Sequence, residues 1–360
     1  MIRLDNRPAD GGPSGSFDDP AHLGRVLARR VLPVVSAPAR YVGGELGADP
    51  DGWAPDKANI LLTFPDAYEV GMSHQGLRIL HTLLQRHGRA SCDIAFAPWP
   101  DMERAMRAEG LPLYGLNTRR SARQFDLVGF SLGYELAYTN MLTMIDLAGA
   151  PLLAKDRGEG DPIFVAGGSC AMNPAVIGPF LDLVLLGDGE EAVLDFATII
   201  ADAKRERLPR AELLARLRGV EGAWHENAAG PVRARVLQDL NAYPPPGRLV
   251  PVIEPVHDRL ALEVMRGCVR GCRFCQAGMI TRPVRERDPG QLVEAAVRGM
   301  SEAGYDEISL LSLSTGDYSG LGSAVAGIQD SFTRAHTNVV LPSLRLDSVD
   351  DDLYDRIGRE

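Results

Sequence analysis

Three cysteines fall within eight residues of one another in the segment ALEVMRGCVRGCRFCQAG, at Cys268, Cys272 and Cys275. Thiolates are the usual ligands of iron–sulfur clusters. A Cys-x3-Cys-x2-Cys spacing can hold three irons of a 4Fe–4S cubane, which leaves the fourth iron without a protein ligand and open to a substrate. Gly267, Gly271 and Gly278 relieve crowding where backbone must fold round a cluster. Arg266, Arg270 and Arg273 place positive charge beside the thiolates. The competing reading is structural zinc, which is usually held by four Cys or His side chains. No fourth donor lies in the segment, and His257 is the nearest candidate. Of the five cysteines, Cys92 and Cys170 stand alone and read as small buried hydrophobes. An odd count with one tight group indicates a metal site, not a disulfide framework.

The loop needs a scaffold, and the sequence around it alternates strands with helices. RLALEVMRG reads as a strand leading straight into the cysteines. DPGQLVEAAVRGMSEAG reads as a helix with Asp288 as N-cap, Pro289 in the first turn and Gly304 at its end. DEISLLSLS and NVVLPSLRL are further strands, and SVDDDLYDRIGRE begins another helix. Three strand–helix units do not close a barrel, so the domain spanning 259–360 is expected to be cut short.

Residues 58–204 alternate in the same way. ANILLTF, CDIAFAPW, FDLVGFSLG, PIFVAGG and LDLVLLGDG are apolar strands. GMSHQGLRILHTLLQRHG, MERAMRAEG, ELAYTNMLTMIDLAG and EEAVLDFATIIADAKRE are helices. The pattern predicts an α/β domain whose mostly parallel sheet is covered on both faces, with ligands beyond the C-terminal strand ends. Asp188, Glu190 and Glu191, in the turn GDGEE, read as acids favoured at a helix start. Residues 1–57 read as an N-terminus disordered over 1–20, followed by a lead-in helix in AHLGRVLARRVL. Residues 205–258 contain YPPPGRLVP, where each Pro fixes φ and removes a donor, and read as a connector.

The composition is that of a globular protein, 45% hydrophobic and 24% charged over 360 residues. Lys and Arg total 38 against 48 Asp and Glu, a net charge of −10, which argues against a broad nucleic-acid-binding face. No apolar run is long enough to cross a bilayer. The N-terminus lacks the apolar core of a signal peptide. The expectation is no membrane association and a cytoplasmic location, where thiols stay reduced.

Cys268-x3-Cys272-x-Phe274-Cys275 resembles the signature of the radical S-adenosylmethionine (SAM) superfamily, including the aromatic residue before the last cysteine, and the resemblance places Phe274 among the SAM contacts. Its place after the first strand of a β/α series matches too. The resemblance implies a partial TIM barrel in which SAM binds the open iron through its amino and carboxylate groups. An electron from the cluster would then cleave SAM into methionine and a 5′-deoxyadenosyl radical, which abstracts hydrogen from a substrate. It also implies a reductant of flavodoxin or ferredoxin type. The family's SAM-amine stretch at the end of the second strand, often Gly-Gly-Glu, reads here Ser314-Thr315-Gly316-Asp317, a partial match. Ser343 and Arg345, at the end of the third strand, resemble polar SAM contacts. Arg345 either pairs the methionyl carboxylate or makes an ordinary surface ion pair.

The domain order, open sheet and then cysteine domain, is similar to that of cobalamin-binding radical SAM proteins. PARYVGGE, FPDAYEVGMSHQGL, AGGSCAMNP, LGDGEE and RGCVRGCRFCQAG resemble an uncharacterised cobalamin-type subgroup. The first domain is then expected to be a Rossmann-like, cobalamin-binding-type sheet. The family's Asp-x-His-x-x-Gly, whose His ligates cobalt, reads here Asp66-Ala67-Tyr68-Glu69-Val70-Gly71. Ser131 and the pair Gly167-Gly168 fit later elements of that site. With Tyr68 at the ligand position, cobalamin either binds without a protein ligand on cobalt or has been lost. His74 reads as a polar or phosphate contact in preference to a substitute ligand. With cobalamin, methyl transfer to an unactivated carbon is implied, the cofactors carrying the chemistry. Sulfur insertion would need a second cluster, for which Cys92 and Cys170 are too few. The alternative from another class is a non-catalytic module that holds a cluster or cobalamin in an incomplete active site.

Overall fold

The computed structural model describes residues 16–243, 245, 247–332 and 337–348. Of the disorder expected over 1–20, residues 1–15 lie outside the described residues. Asp19 is ordered as the N-cap of helix α1 (Pro20–Val26), accepting from the Ala21 and His22 N–H groups at 2.9 and 3.2 Å. The helix continues as a wider turn over Leu27–Val31, and Leu23, Leu27 and Val31 are buried as their spacing predicts.

The first sheet comprises β1 (Ala58–Phe64), β2 (Ala90–Phe96), β3 (Leu127–Ser131), β4 (Ile163–Gly167), β5 (Leu183–Leu185) and β6 (Ala223–Trp224). Their spatial order is β2-β1-β3-β4-β5-β6, parallel except for β6. The helices of this unit are α2 (Tyr68–Met72), α3 (Gln75–Arg86), α4 (Pro100–Glu109), α5 (Tyr138–Leu147), α6 (Glu190–Glu206) and α7 (Arg210–Leu217). Every residue of β1 and β2 is buried, the consequence of helices on both faces. The chain reverses its direction of strand addition between β1 and β3, so the crevice beyond their C-terminal ends is the switch point where such sheets take ligands.

Two features depart from the sequence pattern. The helix expected to run unbroken through Gly71 to Gly88 is two helices, α2 and α3. The break falls at His74, which leaves helical conformation and caps α3, its Nδ1 accepting from the Leu77 N–H at 3.1 Å. Gly71 sits so close to Phe96 that a Cβ there would overlap the ring, which fixes α2 in its own direction. In addition, residues 205–258 contribute α7 and the antiparallel strand β6 to the first unit, and Leu46 pairs with Val250.

The second sheet has the order β11-β10-β7, all parallel, from β7 (Leu260–Glu263), β10 (Glu307–Leu311) and β11 (Asn338–Val340). Between β7 and β10 come the ribbon strands β8 (Met265–Arg266) and β9 (Arg285–Glu286), the short helix α8 (Ala277–Ile280) and α9 (Pro289–Ala303). Asp288 caps α9, accepting from the Gln291 N–H at 3.0 Å, and Gly304 closes it in left-handed conformation, both as expected. Helix α10 (Leu321–Ser331), which the sequence reading passed over, makes the crossover to β11. The helix expected in SVDDDLYDRIGRE lies outside the described residues after Ser348. The second unit has its own core, centred on Leu262, Leu292, Ile308 and Leu310. Among the described residues no helix is long and apolar enough to cross a membrane.

His81 on α3 is 1% exposed, and its Nε2 has no partner among the described residues. Burial depresses its pKa to about 4, with nearby Asp93 opposing and Arg78 reinforcing the shift. Burial also lowers His74 to about 4. Both rings are therefore neutral in the fold where the unfolded chain, near 6.5, takes up protons. Their contribution is complete above about pH 6.5, declines as pH falls and levels off below about 4, at up to ~1.4 kcal/mol per pH unit per ring. Urea denaturation across this window should show His81→Leu losing roughly half of the loss due to the two rings. An unchanged pH slope would disprove the assignment.

Candidate functional site

The cysteines occupy an excursion clipped at its base by the ribbon, in which Met265 faces Glu286 and Arg266 faces Arg285. Gly267 opens the loop at φ +91°, and a Cβ there would meet the Pro283 carbonyl at 2.7 Å. A side chain would therefore force the two legs of the loop apart. At the other end, the position of a Cβ on Gly278 is 3.8 Å from Cys268 Cβ and 3.9 Å from Cys275 Sγ, so this glycine occupies the space between two of the cysteines. Main-chain N–H groups of Arg270 and Gly278 donate to the sulfurs of Cys268 and Cys275, each at 3.5 Å. All three cysteines are half-buried.

This donor set fits a cubane with three protein ligands. A mononuclear zinc site would gather sulfurs about 3.8 Å apart, the edge of a tetrahedron with ~2.3 Å bonds. Among the described residues no group of three or more His, Cys, Asp or Glu side chains is arranged for a single metal ion. His257 is exposed, with its main-chain N–H donating to Ser73 Oγ at 3.0 Å, and no group of metal-ligating side chains among the described residues includes it. Cys92 is fully buried in the first core, and burial pushes its thiol well above the ordinary range. Burial and nearby Glu135 raise the Cys170 thiol too.

The stretch after β10 reaches the rim of the loop. Asp317 binds the Arg270 guanidinium and accepts from Ser314 Oγ at 2.8 Å. These bonds, Arg270's first, hold its carboxyl below the usual range. Ser314 and Thr315 are buried, and the Thr315 N–H donates to the Ser343 carbonyl at 2.9 Å, joining the second and third strand ends. Gly316 leaves room for Ser348, whose Oγ a Cβ would strike. Arg345 is exposed and paired with Asp347 at 2.9 and 3.1 Å. Phe274 is 92% exposed.

Above the first sheet, Ser131, Gly167 and Gly168 lie at the C-terminal ends of β3 and β4, and α8 of the cysteine excursion packs against Ser169–Met172. Gly168 has φ +106°, and a Cβ there would meet the Leu132 carbonyl at 2.6 Å, so its glycine serves the approach of two strand ends. Tyr134 donates to Asp66 across the switch point.

Tyr68 does not face this crevice. It is 1% exposed, its hydroxyl donating to Glu45 at 2.9 Å and accepting from the Val252 N–H at 3.0 Å. Nor is His74 a substitute ligand. Its Nδ1 lone pair accepts the Leu77 N–H, so the neutral ring carries its proton on Nε2. The residues therefore do not fit a cobalamin held by an imidazole from either position.

The acids of LGDGEE have a role the sequence reading missed. Residue 189, not an acid, is the N-cap of α6, and it makes no side-chain cap bond. Asp188 and Glu190 instead bind Arg266 at 2.8 and 2.6 Å, Glu263 joins Arg266 at 2.9 Å, and Arg285 also binds Asp188. Burial alone would raise the Asp188 carboxyl; Arg266, the Leu237 N–H and Arg285 outweigh it and hold it low. Arg266 and Arg270, expected to face the thiolates, are thus both ion-paired. Opposite charges in two distant motifs were the available signal, but sequence could not pair them.

Comparison with known proteins places these features. Residues 76–225 match the family model described as Radical SAM proteins, N-terminal. An uncharacterized protein of Methanocaldococcus jannaschii is 25% identical over 310 residues, covering 82% of this chain and 57% of that protein. The radical SAM methyltransferase TsrM from Kitasatospora setae, solved with cobalamin and a [4Fe-4S] cluster, superposes with TM-score 0.56 at 15% identity, covering 84% of this chain and 58% of TsrM. The cobalamin-dependent SAM radical enzyme OxsB, solved with aqua-cobalamin and SAM, gives 0.50 at 14% identity over 80% of this chain and 38% of OxsB. The α/β fold is that of cobalamin-dependent radical SAM enzymes. The chain spans less than two thirds of the length of each of these proteins.

Arg266→Met should leave Asp188 and Glu190 short of a counter-charge and cost about 3–5 kcal/mol, as for a broken buried pair. Chemical denaturation checks this. A loss under about 1 kcal/mol, the range of exposed pairs, would show that the cluster does not join the two units.

Proposed function

We propose that the protein is a radical SAM enzyme in which Cys268, Cys272 and Cys275 hold a 4Fe–4S cluster that binds SAM. In this reading the first domain accommodates cobalamin, for methyl transfer or another radical modification of a substrate. The observation that carries the reading is the three-thiol loop, clipped at its base and facing the ligand edge of a parallel sheet. When bound, the cluster supplies the electron that splits SAM into methionine and a 5′-deoxyadenosyl radical. The chain's own residues orient the ligand. Asp317, kept ionised by Arg270, is the carboxylate for the SAM ammonium group, and Ser314 fixes its rotamer. Arg270 must yield part of that carboxylate when the ammonium arrives. Arg345 offers a guanidinium for the methionyl carboxylate once released from Asp347. Phe274, the aromatic of the cysteine motif, is open to contact with SAM, and exposed Val269 suits a reductant of flavodoxin or ferredoxin type.

Anaerobic reconstitution should load about four irons per chain. Alanine at Cys268, Cys272 or Cys275 should abolish loading, and alanine at Cys92 or Cys170 should not. With SAM and a reductant, the loaded protein should release 5′-deoxyadenosine. Zinc bound tightly in place of iron would refute the cluster assignment, and a loaded cluster that never cleaves SAM would favour a binding module.

For cobalamin the expected outcome is binding with no protein nitrogen on cobalt, because Tyr68 and the Nδ1 of His74 are both engaged within the fold. EPR of the cob(II)alamin form reads this from the splitting due to an axial nitrogen. Nitrogen coupling that disappears in His74→Ala would contradict the tautomer assigned to that ring.

A further inference from the structure

We propose that the cleft between α3 and α9 binds a phosphate-type oxyanion, free or as a phosphomonoester, at a site separate from the cysteine loop. Its floor is Arg78, which is 7% exposed. One guanidinium nitrogen donates to the Tyr305 hydroxyl at 3.1 Å, and Nε has no partner among the described residues. No carboxylate among the described residues lies within ion-pair distance of it. The other buried arginines show how this chain otherwise meets the cost of a buried guanidinium. Arg157 and Arg285 pair with Asp182 and Asp188, and Arg287 donates to the carbonyls of Glu263, Leu240 and Tyr243. Arg78 alone among them has no acid and no carbonyl, although an uncompensated buried charge costs several kcal/mol.

The depression above it is shallow and open to solvent, walled by Leu260 and the last turn of α9. Exposed Arg248, Arg298 and Glu302 form its rim, and neither rim arginine is ion-paired among the described residues. The negative end of α9 supplies about half a charge at most. With Glu302 and the helix end both counted, the three guanidiniums still leave about one and a half positive charges in excess. A single carboxylate would neutralise one of them. A phosphate, with a charge near −2 and three or more acceptor oxygens, matches both the charge and the forked donors.

The test is calorimetric titration of the full chain with inorganic phosphate at constant ionic strength, with acetate and chloride as controls and phenyl phosphate as the ester arm. Saturable one-to-one binding of phosphate is expected, with acetate and chloride giving none. Phenyl phosphate binding as tightly as phosphate would assign the site to an ester, and weaker binding would assign it to the free ion. Arg78→Met should abolish binding. The rim double variant Arg248→Gln with Arg298→Gln, which leaves the buried residues untouched, should weaken it about tenfold or more. Absence of saturable binding, acetate binding as tight as phosphate, or an affinity unchanged in the rim variant would overturn the inference.

Discussion

The arrangement of this molecule depends on one buried ion cluster. Asp188 and Glu190 leave the C-terminal edge of the first sheet; Arg266 and Arg285 face each other across the base of the cysteine loop. Taking these groups out of water costs several kcal/mol each, so the cluster is poor glue. Its value is geometric. Guanidinium forks accept carboxylates in few orientations, and a loop docked elsewhere would leave charges buried and unpaired. The ribbon then carries that orientation into the loop, because Arg266 and Gly267 are neighbours in the chain. The cysteine excursion is thereby held against the Ser169–Met172 segment of a domain with which it shares no core.

Within the loop the polar groups divide the work. Main-chain N–H groups donate to two of the sulfurs. Arg270 is turned outward to Asp317 and away from bridging the cysteines. That contact ties the loop's exposed rim to the end of the second strand, while Thr315 ties the second strand end to the third. Loop, second strand end and third strand end therefore form one connected rim around the thiols, made of three segments that no local sequence rule connects. By contrast, Cys92 lies on β2, the edge strand of the first sheet, where its thiol packs into the core as an apolar group.

The elements themselves were legible because their physics is local. Strands buried on both faces are continuous apolar runs, as in ANILLTF, and α9 announces itself through Asp288, Pro289 and Gly304. The cysteine spacing is likewise a local statement. What sequence concealed depends on partners far away in the chain. The break between α2 and α3 comes from the contact of Gly71 with Phe96 and from an imidazole acting as a cap, a role ordinarily taken by Ser, Thr, Asp or Asn. Helix α10, rich in Gly and Ser, has little intrinsic propensity and is held by packing Leu321, Val325 and Ile328 into the second core. The acids of LGDGEE satisfied a sufficient local explanation as helix-start residues, so nothing in the sequence demanded Arg266.

Tyr68 shows why a motif position does not carry its role with it. Burial of its phenol raises the pKa and keeps it a donor, with Glu45 as its acceptor and the Val252 N–H held in return. The following turns continue the attachment: the Glu69 carbonyl accepts from Val256, and Ser73 Oγ from His257. Helix α2 is thus the rail along which residues 252–257 are laid before the chain enters β7. The phenol that serves this rail is 1% exposed and both of its hydroxyl contacts lie within the fold. With a phenol at this position, α2 holds residues 252–257, which lead into the second unit. Whatever rests on the first sheet's edge must then be retained by strand-end loops and by the cysteine loop above it, whose placement the ion cluster controls.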